Sequence, residues 1–174
     1  MGLESDLFAI YNRFLNTYDG HLVSVTTSYK PLGTFYIKLD IKQLPHLLGL
    51  HKIYSGKNAT QMVSLLASGT ISTKTIRHHQ NYGLIKDRIK FFNEFDVIMA
   101  MGTNVQAILV SPADGQNSMR LDLVFQHIKA HRRISLGLRN TQEEIYRPVT
   151  FLVRQDRDID YAHSKRLKYS VDGW

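Results

Sequence analysis

Two histidines and a lysine lie around a short leucine-rich segment, LPHLLGLHKIYSGK at residues 44–57. On one continuous helix, His46 and His51 would be about 500° of rotation apart, so their side chains would diverge by roughly 140° and could not share a metal ion. Gly49 allows another arrangement, because a left-handed glycine ends a helix and can turn His51 and Lys52 back beside His46. Two interpretations follow: these polar groups are structural, or they transfer protons near neutral pH.

The usual motifs of metal and cofactor enzymes are missing from the sequence. Cysteine is absent, which excludes disulfides, thiolate metal sites and sulfur nucleophiles. There is no GxxxxGKS/T, GxGxxG, GxSxG or HExxH motif. QDRDID at residues 155–160 resembles the start of a calcium loop, but Tyr161 replaces the turn glycine and Leu167 the closing glutamate. We therefore expect no metal and no cofactor, and chemistry carried out by His, Lys, Arg, Tyr, Ser and Thr.

The charge distribution favours a polyanionic partner. The chain has a formal net charge of +7 and a pI near 9.6. The basic excess lies in two segments: residues 71–91 hold five lysines or arginines and one acid, and residues 127–174 hold ten against six acids. Residues 1–40 instead have more acids than basic residues. Scattered surface charge that serves only solubility is the alternative.

Hydrophobic periodicity divides the chain into helices followed by strands. Apolar residues from Leu3 to Tyr18 recur at helical spacing, and HLVSVTTSY with TFYIKLD alternates as two neighbouring strands do. Residues 45–95 are then predicted to form several helices, including one capped by Asn58 and ended by Gly69. QAILVS, RLDLVFQ, RISLGLRN and RPVTFLVR follow with a period of two. This order predicts one α+β domain over residues 1–174, with N-terminal and middle helices packed on an antiparallel sheet.

Arginines and hydroxyls alternate with apolar residues on the last two of these strands. If Ile134, Leu136 and Leu138 face the core, the residues between and beside them lie on the opposite face. The threonine and second arginine of RPVTFLVR would share that face, and Gly137 leaves room for a close approach. Such a surface suits a phosphate, although a solvated sheet face would show the same pattern. The candidate phosphate or RNA contacts are Arg133, Ser135, Arg139, Thr150 and Arg154.

Three segments carry a resemblance to a known family. FYIKLDIKQLPHLLGLHK, followed by a helical middle and then RISLGLR and YRPVTFLVRQD, resembles the phage-associated group of Barnase/EndoU/colicin E5-D/RelE-like nuclease domains, in particular its fourth phage subgroup. The resemblance extends from about residue 34 to residue 160. It implies a small α+β fold and metal-independent RNA cleavage, in which the 2′-hydroxyl attacks the adjacent phosphorus and leaves a 2′,3′-cyclic phosphate.

The resemblance also implies roles for particular residues. His46 would be the general acid or base, with His51 and Lys52 as further catalytic candidates. Arg139 and Thr150, which the alternation along the last two strands already places on the candidate phosphate surface, would stabilise its charge. Barnase-type members use a catalytic glutamate, and no glutamate of this sequence can be matched to it.

The leading hypothesis is a cytoplasmic ribonuclease-like toxin or effector of phage or mobile-element conflict, acting on RNA such as tRNA. The alternative is a nuclease-fold module without catalysis that binds nucleic acid or a host defence protein. A third hypothesis is a purely structural interaction protein. An immunity protein is a further expected partner of the toxin. No apolar run approaches the ~20 residues that cross a bilayer, so we expect no membrane contact.

Overall fold

The structure is a computed structural model that describes residues 6–114, 117–157 and 160–173. Its internal contacts group into two compact units. The first consists of the described residues up to Gly20 together with Leu39–Asn93, and the second of His21–Lys38 together with the described residues from Glu94 onward. The organisation of the chain as one domain stays a prediction. Leu3, the first residue of the predicted N-terminal helix, lies outside the described residues.

The first unit is built from short helices. Its elements are α1 (Leu7–Thr17), α2 (Leu44–Leu47), α3 (Ala59–Ala67), α4 (Thr73–Ile76) and α5 (Lys86–Lys90), with 3₁₀ turns at Ile41–Gln43, Leu50–Lys52 and Tyr82–Leu84. The Asp6 carboxylate caps α1 by accepting from the Phe8 N–H at 3.2 Å. Asn58 and Gln61 form a reciprocal capping box that starts α3, which confirms Asn58 as the cap, and Gly69 follows this helix with a φ of 72°.

None of the helices in the described ranges is long and apolar enough to span a membrane.

The second unit contains an eight-stranded sheet. Its strands are β1 (Leu22–Thr27), β2 (Thr34–Lys38), β3 (Gln106–Leu109), β4 (Leu123–Lys129), β5 (Arg132–Gln142), β6 (Ile145–Gln155), β7 (Lys165–Leu167) and β8 (Tyr169–Gly173), in the spatial order β7-β3-β4-β5-β6-β2-β1-β8. The two neighbouring strands predicted near the N-terminus are confirmed as the antiparallel pair β1 and β2. The predicted antiparallel sheet is wrong at one pairing, since β2 and β6 run parallel. All of the chain from residue 39 to 144 separates these two strands, and so long a connection lets the chain return in the same direction.

Aromatic side chains fill one face of the sheet. α6 (Glu94–Ala100) packs on β4 and β5, and its Phe95 lies against Phe151 with ring centroids 6.4 Å apart. Phe35 on β2 contacts Phe125 and Tyr146 at centroid distances of 6.5 and 5.1 Å. All five rings are buried, so this face is the core of the second unit. The packing of the first unit's helices on the sheet stays a prediction.

The other face of β3, β4 and β5 carries a smaller apolar cluster. Ile108 and Val124 are direct partners on β3 and β4, and both are buried together with Leu121. Partly buried apolar residues pack around these three: Val110, Met119, Val149 and Tyr161. The sheet is therefore covered by apolar side chains on both faces at this position.

Candidate active site

Gly49 turns the chain between the two histidines. α2 has Pro45 in its first turn, and it ends where Gly49 adopts the left-handed conformation, with φ 77° and ψ 15°. The Gly49 N–H donates to the His46 carbonyl at 2.9 Å, and the 3₁₀ turn Leu50–Lys52 follows directly. The leucines of the segment anchor this turn, and the fully buried ones are Leu44, Leu47, Leu48 and Leu50.

The turn brings the rings of His46 and His51 together. Their centroids are 4.3 Å apart and their planes differ by 18°, so the predicted return of His51 beside His46 is confirmed. His46 is exposed, whereas His51 is half-buried. Burial, and then the charges of His46, Arg88 and Lys52, lower the pKa of His51 from 6.5 to about 4. His51 is therefore neutral at neutral pH, and its Nδ1 is buried with no hydrogen-bond partner in the part of the chain that the structure describes.

Arg88 on α5 is a member of this cluster that the sequence motifs did not identify. It is only 8% exposed, and its charge adds to burial in lowering the pKa of Lys52. α5 lies so close to Gly49 that a Cβ there would meet Cγ2 of Ile85 at 2.7 Å and Cδ of Arg88 at 3.4 Å. One signal was present in the sequence, because Arg88 lies three residues after Ile85 within the apolar stripe of a predicted helix.

A side-chain amide fixes the end of the turn. Nδ2 of Asn81 donates to the Lys52 carbonyl at 2.8 Å, and the Asn81 backbone N–H donates to Nδ1 of His79 at 3.1 Å. The segment between α4 and α5 thus holds the backbone at Lys52. Two imidazoles and two cations meet within the first unit, and we call them the histidine cluster: His46, His51, Lys52 and Arg88.

The free energy of unfolding is expected to fall as the pH drops from about 6.5 to about 4. Unfolded His51 takes up a proton with its ordinary pKa of 6.5, whereas folded His51 stays neutral down to about pH 4. The unfolded state therefore binds more protons than the folded state in this window, so the free energy of unfolding decreases as the pH decreases. Urea denaturation midpoints measured at several pH values in this window test the prediction. The midpoint of His51→Gln should depend less steeply on pH than that of the wild type, because the variant lacks the contribution of His51. His127, whose pKa burial also lowers, is present in both proteins. Identical slopes would contradict the prediction.

The predicted phosphate contacts of β5 and β6 share one face of the sheet, but the centre of that face is closed. Gly137 pairs with Thr150 across the strands, and Ser135 lies two residues along on the same side. Ser135 and Thr150 are only 6% and 2% exposed. A Cβ at Gly137 would meet Cδ1 of Leu121 at 2.7 Å. The space that the sequence analysis gave to a phosphate is therefore filled by Leu121 of the apolar cluster.

The arginines at the edges of this face are each held by the chain itself. Nη2 of Arg133 donates to the Asp156 carbonyl at 2.9 Å and lies 3.6 Å from that residue's carboxylate. Nη1 of Arg154 donates to the Asp160 carboxylate at 3.0 Å, and Arg139 donates to two carbonyls in the loop before β4. These contacts support loops of the second unit. Phosphate binding by the arginines stays a prediction.

A buried carboxylate and imidazole lie on the aromatic side of the sheet. Oε2 of Glu94, on α6, is 3.4 Å from Nε2 of His127, on β4, and both side chains are almost fully buried. Burial lowers the pKa of His127 although the charge of Glu94 acts in the opposite direction. The pair joins a helix to a strand, and its burial keeps Glu94 from reaching a substrate.

No group of three His, Asp or Glu side chains that could hold a metal ion occurs within residues 6–114, 117–157 and 160–173. Asp158 of the QDRDID segment lies outside these ranges. The absence of a metal requirement stays a prediction.

Comparison with known families gives a match over most of the chain. A family model described as phage-Barnase-EndoU-ColicinE5/D-RelE like nuclease4 matches residues 7–170. The matched segment contains every residue of the histidine cluster and the arginines of β5 and β6. No curated protein and no solved structure shows a significant match. The resemblance found in the sequence is confirmed.

Proposed function

The chain belongs to the phage-Barnase-EndoU-ColicinE5/D-RelE like nuclease4 family, and from this we propose that it cleaves RNA at the histidine cluster without a metal ion. The observation that carries the proposal is the stacked pair of His46 and His51 beside Lys52 and Arg88. Two imidazoles and two cations supply the two things that phosphodiester cleavage requires, proton transfer and stabilisation of negative charge.

The proposed reaction takes place within the RNA strand. The 2′-oxygen attacks the adjacent phosphorus while its proton passes to a base. The bond between phosphorus and O5′ breaks, and that oxygen takes up a proton from an acid. The products are a 2′,3′-cyclic phosphate and a 5′-hydroxyl, and the proton balance needs only groups that gain and lose protons near neutral pH.

Each member of the histidine cluster has a separate role in this proposal. His46 transfers both protons, since its exposed ring is the one that a bound strand can reach. It takes the proton of the 2′-hydroxyl as base and then, as the protonated acid, gives a proton to O5′. His51 stays neutral and holds the ring of His46 by stacking. Lys52 contacts a phosphoryl oxygen. Arg88 is too buried to contact the RNA, and its positive charge stabilises the negative charge of the reacting phosphate from a short distance.

RNA contacts in the second unit are proposed for the arginines at the edges of the sheet face. Arg139 and Arg154 are exposed, and their guanidinium groups have donors enough to bind a phosphate beside their contacts within the chain. Ser135 and Thr150 are too buried to touch RNA directly. They act in this proposal as supports of the strands that carry the arginines.

In the cell, the proposed role is that of a cytoplasmic toxin or effector in conflict between phages or mobile elements and their hosts. Its substrate is an RNA such as tRNA, and its partner is an immunity or host defence protein that restrains it. The phage association in the description of the family supports this role.

Purified protein incubated with total RNA in EDTA is expected to release fragments with 2′,3′-cyclic phosphate and 5′-hydroxyl ends, because the side chains supply the proton transfer and the charge. Sequencing of fragment ends with a cyclic-phosphate-specific ligation checks the chemistry. Cleavage only after magnesium is added would contradict metal independence. Binding of RNA without cleavage in any buffer would favour the alternative, a nuclease-fold module that binds nucleic acid.

A further inference from the structure

A groove opens on the second unit's sheet, at the far end of the face that carries the smaller apolar cluster. It encloses about 450 Å³, a volume within the range of small-molecule sites. Its lining comes from three residues with side-chain amides, an isoleucine, an arginine, and a histidine whose ring lies on the opposite, aromatic side of the sheet: Asn104, Gln106, Gln126, Ile128, Arg133 and His127. None of these residues belongs to the histidine cluster.

The strand register places the amides in a row. Gln106 on β3 pairs with Gln126 on β4, and Gln126 pairs with Ser135 on β5. Gln126 is only 4% exposed, and the Ser135 hydroxyl donates to its Oε1 at 3.4 Å. The serine that the sequence analysis assigned to phosphate therefore holds a buried amide. Gln106 is exposed, and it forms the open end of the row.

The next cross-strand pair that lines the groove consists of an apolar side chain and a cation. Ile128 on β4 pairs directly with Arg133 on β5, and Ile128 is 56% exposed although it is large and apolar. One edge of the Arg133 guanidinium is held by Asp156. Its Nε is buried and has no hydrogen-bond partner among the residues that the structure describes. Because Nε is itself buried, a ligand in the groove meets only the part of the Arg133 side chain that is exposed, which is 16%.

We propose that this groove binds a single unpaired nucleobase of the RNA, together with the phosphate next to it. Side-chain amides carry a donor and an acceptor side by side, as the edge of a base does, and the edge of adenine is the one that glutamine matches with two hydrogen bonds. The exposed Gln106 makes these contacts, and the buried Gln126 supports it as its cross-strand partner. Ile128 covers the face of the base, and Arg133 takes the phosphate. The inference rests on the proposed function and extends it, because it gives the enzyme a preference for adenine at one position of its substrate.

Binding of short 2′-O-methyl oligonucleotides tests the inference without cleavage, since these strands have no free 2′-hydroxyl to attack the phosphate. Fluorescence anisotropy of the full chain with ten-nucleotide strands of A, C or U should show about tenfold tighter binding of the A strand. Gln106→Leu, which removes the exposed amide, should remove most of that preference, and Gln126→Leu, which removes the buried amide paired with it, should weaken the preference. The matched control is Gln142→Leu, an exposed glutamine of β5 outside the groove, and it should keep the preference.

A second pair of variants examines the apolar wall. Ile128→Ala should weaken binding of all three strands by about threefold or more, because it removes apolar surface that a base of any kind covers. Leu22→Ala removes a similarly exposed apolar side chain of β1, away from the groove, and should leave the affinities unchanged. If Gln126→Leu fails to fold, the exposed Gln106→Leu decides the test of the amides.

The results separate this inference from the proposed function. Equal affinity of the wild type for the A, C and U strands, or a preference that survives both glutamine variants, would overturn the groove as a base site even if RNA is cleaved. A preference that the two variants abolish supports the groove even if no RNA is cleaved in the EDTA assay, in which case only the proposed catalysis fails.

Discussion

Replacing His46 with alanine is expected to slow RNA cleavage by about a hundredfold or more, while changing the free energy of unfolding by less than about 1 kcal/mol. His46 is exposed on α2, so its removal costs little buried contact but deletes the proposed proton transfer. Cleavage rates of a defined RNA in EDTA and urea denaturation of the same samples measure the two effects. His21→Ala, an exposed histidine before β1, is the control and should retain the wild-type rate.

Leu47→Ala should show the opposite pattern. Leu47 neighbours His46 on α2 and is fully buried, so its truncation should cost about 2 to 5 kcal/mol of stability. Under conditions where this variant is still folded, its cleavage rate per folded molecule should stay near that of the wild type. If His46→Ala instead unfolds the protein and the remaining folded molecules keep their activity, His46 is a structural residue and the assignment of the site is wrong.

Gly49→Ala is expected to destabilise the protein by roughly 2 to 5 kcal/mol. A side chain at the φ of 77° costs about 1 to 2 kcal/mol, because Cβ is crowded by the backbone in the left-handed conformation. The new Cβ would also lie 2.7 Å from Cγ2 of Ile85, and such overpacking adds about 1 to 3 kcal/mol. Movement of α5 away from the turn would relieve the clash but would displace Arg88, so the cleavage rate per folded molecule should fall as well.

Gly69→Ala separates the two contributions to the Gly49 effect. Gly69 has a nearly equal φ of 72°, but a Cβ there would meet no atom within 4 Å, so this variant carries the backbone cost alone. Urea denaturation should therefore place Gly69→Ala between the wild type and Gly49→Ala. Equal destabilisation by the two substitutions would show that the contact between α5 and the turn is not tightly packed.

Features that depend on neighbours along the chain could be predicted from the sequence. Asn58 caps α3 through Gln61, which lies three residues away, and Gly49 turns the chain within the span from His46 to Lys52. Capping, left-handed glycines and the period of two involve only backbone geometry over a few residues, so residue types at fixed spacing are sufficient to predict them. The return of His51 beside His46 could be predicted for the same reason, whereas the stacking of the two rings was not predicted.

Contacts between segments that are distant in the chain could not be predicted from the sequence and are seen only in the folded protein. The packing of α5 on Gly49 added Arg88 to the histidine cluster, and Leu121 closed the space over Gly137 that alternation alone left open. The parallel pairing of β2 with β6, and the row formed by Gln106, Gln126 and Ser135 across β3, β4 and β5, likewise depend on contacts far apart in sequence. The period of two shows which side chains share a face but not what covers that face. Which segment covers a face of the sheet depends on the packing of the whole chain, because many apolar side chains compete for the same space.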